Sequence, residues 1–188
     1  MMSDKLVPGT VLPFTGNDGM FAMFRPMIHA ANGLSLSQVC AITGLEPSTV
    51  QNWIKRGFVA HPVQKKYFSR HLAQVLLIGA LRDGMNIDRI GELMRMVNGS
   101  ADDESDDIIS GEQLYDYFCE VVRLLDNHSI SHDYAAEVVG QVTAGYEGPD
   151  ASAPERLRQA LLVMVFGYIS GKLRQEAESC FRQMKQTL

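Results

Sequence analysis

SLSQVCAITGLEPSTVQNWIKRG, residues 35–57, carries the signals that decide the fold. Leu36, Val39 and Ile42 recur at the spacing of one helix face, and Ser35 or Ser37 stands ready to cap the first turn. Gly44 follows where a helix C-terminus takes glycine. Pro47 then opens a second helix, because its missing N–H is not needed in a first turn. Val50, Trp53 and Ile54 form that helix's apolar face, and Gly57 closes it. Two helices of about eight residues joined by a tight turn read as a helix-turn-helix.

On the N-terminal side, residues 1–34 are expected to form an arm and a short helix. Pro8, Gly9, Pro13, Gly16 and Gly19 make the arm irregular. Residues 20–31 are apolar enough for a helix that Pro26 limits and Asn32-Gly33 ends. On the C-terminal side, Phe58, Val59, Val63, Tyr67 and Phe68 lean towards extended structure, with Pro62 among them and Lys65-Lys66 at the centre. A small β wing is expected there. Ser69 is expected to cap a helix running to Leu81, and Asn86 a further one with Ile87, Ile90, Leu93, Met94 and Val97 on its face. Residues 99–110 hold Asp102, Asp103, Glu104, Asp106 and Asp107 and read as a solvated acidic linker. Three helical patterns follow over 111–127, 131–146 and from Pro154 to about residue 183. The last is apolar nearly all round in its first half, which marks it as the expected central helix. The expected fold class is all-α with a small β wing. A winged helix-turn-helix domain at 35–98 precedes a helical dimerisation or sensing domain at 111–188.

The chain has 188 residues, 46% apolar and 21% charged, which excludes wholesale disorder. The net charge of −5 conceals a strong asymmetry. Residues 35–97 hold eight basic residues against four acids, whereas residues 98–150 hold thirteen acids and only Arg123. A polyanion-facing segment beside an acidic one fits this pattern, as does mutual neutralisation within one fold. Three widely separated cysteines, Cys40, Cys119 and Cys180, give no CxxC pair and fit a reducing, cytoplasmic setting. The start of the chain lacks the features of a signal peptide, and the longest apolar run, residues 160–169, is half of what a membrane span needs. No membrane association is expected.

With Val50, Trp53 and Ile54 facing inward, the second helix turns Ser48, Thr49, Gln51, Asn52, Lys55 and Arg56 outward. Amides and hydroxyls reach base edges and cations reach phosphates, so these residue types suit double-stranded DNA. Lys65, Lys66, Tyr67 and Arg70 would add phosphate contacts from the wing. The bland reading of the same residues is a solvated face. Counted from Asp102, the acidic run lacks the glycine and glutamate of a calcium loop at the sixth and twelfth positions, where Asp107 and Gln113 stand. His128 and His132 have a metal-compatible spacing only if they share one helix. No phosphate loop, nucleophile elbow or His–acid pair is present, so neither an enzyme nor a cofactor is expected.

Ser35 to Gly44, then Ser48-Thr49-Val50-Gln51-Asn52-Trp53, Arg56-Gly57-Phe58-Val59, Lys65-Lys66-Tyr67-Phe68-Ser69, Leu81-Arg82-Asp83-Gly84 and Ile87-Asp88-Arg89-Ile90 together resemble the winged helix-turn-helix of MerR-type regulators. The resemblance covers residues 36–97. It implies a homodimer on pseudo-palindromic promoter DNA, a role in transcription regulation, and a C-terminal part that senses a small-molecule effector. The chain carries Gln51-Asn52-Trp53 where many such regulators have Arg-Tyr-Tyr. As a whole, including the acidic run and Leu114-Tyr115, it is similar to a bacterial family known only as a domain of unknown function. The alternative expectation is a protein-interaction adaptor that keeps the helix-turn-helix as a scaffold and does not bind DNA.

Overall fold

The structure, a computed structural model, describes residues 6–13, 19–125 and 130–187. A 3-10 turn at Met20–Met23 leads into α1 (Arg25–Ala30), α2 (Leu36–Thr43), α3 (Pro47–Lys55), α4 (Ser69–Leu81), α5 (Ile87–Asn98), α6 (Gly111–Leu125), α7 (His132–Val142) and α8 (Ala153–Thr187).

Local chemistry sets the first helical pair. The Ser35 hydroxyl accepts the Gln38 N–H (3.3 Å) while the Ser35 N–H donates to Gln38 Oε1 (2.8 Å), a reciprocal capping box. Gly44 ends α2 in the left-handed region at φ 69°, where a side chain would be strained, and Pro47 is the first residue of α3. Asn86 caps α5 by accepting the Asp88 N–H (2.8 Å). Ser69 is the first residue of α4 and not its cap: the Phe68 N–H is instead taken by Nδ1 of His71 (3.0 Å).

The β wing expected between Gly57 and Ser69 is not there. The chain is helical and, among the described residues, has no sheet. Gln64 and Lys65 make a two-residue turn with φ of 49° and 63°, closed by reciprocal backbone bonds between Val63 and Lys66 (3.1 and 2.9 Å). A second isolated bridge joins Tyr67 to Leu34 (both bonds 2.8 Å). Pairing goes no further because Pro62 has no N–H to offer, and Ala60 and His61 donate theirs to side chains of other segments. Of the five residues that read as a strand, Val59 and Tyr67 are plugs in the helical core and Phe58 packs against it, whereas Val63 and Phe68 are exposed.

The core is continuous, and α4 is its axis. Ten of its thirteen residues are buried, with α2, α5, α6 and α8 packed around it. The inner half of α8, expected as the central helix, buries Leu157, Leu161, Met164 and Val165 but leaves Val163 exposed. The N-terminal segment closes one side. Phe21 stacks edge-on against Phe24 and Tyr115, its N–H donates to Asp116 (2.6 Å), and the buried Tyr115 hydroxyl donates to the Pro8 carbonyl (2.6 Å). No helix among the described residues is long and apolar enough to cross a membrane.

Candidate functional site

The surface of interest is the outer face of α3 and the loop 57–68 beside it. Val50 and Trp53 anchor α3 in the core. Ser48, Gln51, Asn52 and Lys55 are exposed, Thr49 is half-buried, and none of these side chains makes a hydrogen bond or ion pair with the described residues. Arg56 is held differently: it pairs with Asp88 of α5 and its guanidinium lies 4.6 Å from the centre of the Phe58 ring. In the loop, Lys65 projects from the turn into solvent, whereas the Lys66 ammonium donates to the backbone carbonyls of Gly33 (3.1 Å) and Ala31 (3.4 Å).

Two of the residues expected to meet phosphates face inward. Tyr67 is 4% exposed, and its ring stacks edge-on against His71. The side chain of Arg70 is 12% exposed and reaches into the acidic segment. It donates to the carbonyls of Ser100 (2.9 Å) and Asp103 (2.5 Å) and lies 3.1 Å from Glu104 and 3.9 Å from Asp107. A cation with this many partners is a tie between segments, so Tyr67 and Arg70 leave the candidate surface.

The residues that fix this surface were not picked out by the sequence. His71 accepts the Phe68 N–H on Nδ1 and donates from Nε2 to the His61 carbonyl (2.9 Å), a network that assigns the neutral tautomer. It therefore clamps both ends of the loop. Gln74, one turn further along α4, accepts the Ala60 N–H (2.8 Å) and donates to the Ala101 carbonyl (3.1 Å). Asp102 takes the His61 N–H (2.7 Å) and the His61 ring (3.0 Å), bonds that hold its carboxyl below the usual range. Arg70, His71 and Gln74 were legible as polar interruptions in an otherwise apolar helix. Such residues in a core helix demand partners.

The acidic segment thus runs along α4, with Ile108 and Ile109 buried and Ile108 donating to the Val97 carbonyl (2.9 Å). Within it, burial pushes the Asp107 carboxyl up to about 6, with Arg70 of α4 and Asn98 of α5 opposing the shift and Asp103 and Asp106 adding to it. Burial also raises the thiols of Cys119 and, with Glu46, of Cys40, which suppresses their thiolates. No group of three His, Cys, Asp or Glu among the described residues is placed to hold a metal. His128, the partner proposed for His132, lies outside the described residues.

A raised folded-state value means that Asp107 favours the fold most when protonated. Its contribution is complete below the unfolded value of about 4 and is lost as pH rises through about 6. Asp107→Asn is expected to melt above wild type at pH 7.5, with the gap closing towards pH 4.5. A gap that stays constant over that range would disprove the assignment.

Residues 30–118 match DUF1836, a domain of unknown function. The DUF1836 span runs from the end of α1 into the middle of α6. It takes in α3, the loop 57–68, the clamping residues of α4 and the acidic segment. The chain is also 24% identical over 148 residues to the uncharacterized protein YkrK of Bacillus subtilis (strain 168). That match covers 73% of this chain and 64% of the relative, so the chain spans less than two thirds of the relative's length. No solved structure matches. Neither description names a ligand or an activity. The DUF1836 span includes the entire outer face of α3 and both polar residues, His71 and Gln74, that α4 directs at the loop.

Proposed function

We propose that this protein is a DNA-binding transcription regulator that reads duplex DNA with α3. One observation carries the proposal: the outer face of α3 presents Ser48, Gln51, Asn52 and Lys55 exposed and unengaged, on a helix fixed from behind by Val50 and Trp53. A polar face of hydroxyls, amides and a cation, on a helix that enters a turn at its N-terminus, is suited to the major groove. Lys65, at the tip of a loop pinned by His71 and Gln74, supplies a phosphate contact beside it.

The expected homodimer would use the outer half of α8. Beyond the Gln175 contact with Asp83, α8 carries exposed apolar side chains, with Phe181 49% and Met184 54% exposed, and Leu173 just before it is 67% exposed. A helix end that buries little apolar surface of its own gains from a partner, and Leu173, Ala177, Cys180 and Met184 alternate at spacings of four, three and four.

The test is fluorescence anisotropy of the full chain with fragmented genomic DNA over a series of salt concentrations. Binding is expected with a steep inverse dependence on salt. Lys55→Ala combined with Lys65→Ala is expected to weaken binding to all fragments and reduce the log–log slope by about two. No binding at low salt by a folded dimer would overturn the reading in favour of an adaptor, whose partner would then be sought among proteins.

A further inference from the structure

We propose that the cavity between the N-terminal segment, the end of α4 and α8 binds a small monocarboxylate. The cavity measures about 230 Å³. Its lining mixes apolar residues such as Leu6, Pro8 and Leu45 with the polar and charged side chains of Arg82, Asp83, Tyr168, Lys172 and Gln175.

The walls are built before any ligand arrives. The N-terminal wall is closed by the Val7 N–H on the Leu12 carbonyl (2.9 Å) and the Thr10 N–H on the Val7 carbonyl (3.0 Å). It is tied to α2 by the Val11 N–H on Ile42 (3.0 Å) and to α6 by Tyr115 on Pro8. A preformed wall lowers the ordering cost of binding.

Charge then selects the ligand. The hydroxyls of Thr10 and Thr43 are engaged by the backbone carbonyls of Val7 (2.9 Å) and Val39 (2.8 Å), so they are not offered to the cavity. Asp83 accepts from Gln175 (2.6 Å) and faces Arg82 (4.0 Å). What remains to meet a ligand is the Tyr168 hydroxyl and the Lys172 ammonium, which lies 5.4 Å from the Tyr168 ring, together with the partly balanced Arg82. Burial pushes Tyr168 up to about 12, so its hydroxyl remains a donor at neutral pH. Two cations against one acid leave a single positive charge. That matches a carboxylate, whereas a phosphate dianion would also face Asp83. The volume holds about eight water equivalents, which sets the ligand at on the order of nine non-hydrogen atoms.

The walls include Thr43 and Leu45, from the end of α2 and the turn before α3. A ligand would therefore bridge that turn and α8. The site itself rests on the cavity and its donors, whether or not α3 reads DNA.

The probes are benzoate and its neutral isostere benzamide, titrated into the ¹⁵N-labelled full chain. Benzoate is expected to give saturable shifts at the amides of Gly79, Gly171 and Lys172, with benzamide about tenfold weaker or worse, the scale of one charge-assisted hydrogen bond. Lys172→Met keeps the exposed helix and the apolar stem, and is expected to bring the two affinities together. Arg82→Gln is expected to reduce the benzoate preference as well. Equal binding of the two probes to wild type, shifts centred elsewhere, or no saturable benzoate shift would each overturn the proposal.

Discussion

Gly84→Ala is expected to destabilise the fold by about 3 kcal/mol, at the upper end of overpacking effects. A Cβ on Gly84 would sit 1.9 Å from the Gly167 carbonyl oxygen and 2.6 Å from the Gly171 nitrogen. Both atoms belong to the backbone of α8, so no side chain can rotate away. Either α8 or the turn between α4 and α5 must move by more than an ångström. That displacement would disturb the seat of Met85 on Gly167 and the Asp83–Gln175 bond. For a chain of this size the loss corresponds to a drop in melting temperature of roughly 6–12 °C. Gly140→Ala is the control. It lies within α7 where, beyond the helix's own backbone, no atom of the described residues comes within 4 Å of an added Cβ, and removing a helical glycine there is expected to stabilise by about 0.5–1 kcal/mol. Thermal melts of the two variants should therefore move in opposite directions. A Gly84→Ala protein that melts with wild type would show that the turn does not seat on α8.

The same crossing shows where the sequence stops being informative. Asp83-Gly84 reads as the end of a helix, a local signal, and α4 does end there. The reason this position excludes a side chain is α8, more than eighty residues away, and no local pattern carries that. By contrast, α2 and α3 were legible because their determinants are local: a capping box at Ser35, a left-handed glycine at 44 and a proline at 47. The wing was misread because β-leaning residues also make good core plugs, as Val59 does, and because Ala60 and His61 give their N–H groups to Gln74 and Asp102 and not to a neighbouring strand. The acidic segment reads as solvated because composition reports side chains. Arg70 and Gln74 bind its main-chain carbonyls at Ser100, Ala101 and Asp103, which composition does not register. The same blindness counted Arg70 among the expected phosphate contacts: a cation was counted without its partners. Within α4, the buried His71 and Gln74 are compatible with a central helix because their polar atoms are satisfied by the loops they hold.

Gln51→Ala with Asn52→Ala is expected to lower the preference for the selected operator over random DNA by about 30-fold or more, since each well-placed amide–base pair discriminates by about 1–3 kcal/mol. The two side chains are exposed and unengaged, so the variant should melt with wild type, and any lost preference reports the interface and not the fold. Lys55→Ala separates the two kinds of contact. At the last residue of α3 it would meet the DNA backbone and not the base edges, if α3 enters the groove by its N-terminal half. Its removal should weaken operator and random DNA alike and flatten the salt slope by about one. The operator is obtained by sequencing fragments retained at high salt, where non-specific binding has been screened away, and anisotropy on that duplex and a scrambled one measures the ratio. If the double variant keeps the full operator preference while Lys55→Ala flattens the slope, α3 lies on phosphate and the reading element is elsewhere. If neither variant changes binding, α3 is not the interface at all. Only a loss of preference in the first variant, paired with a uniform loss in the second, is the signature of a helix with its amides on bases and its cation on the backbone.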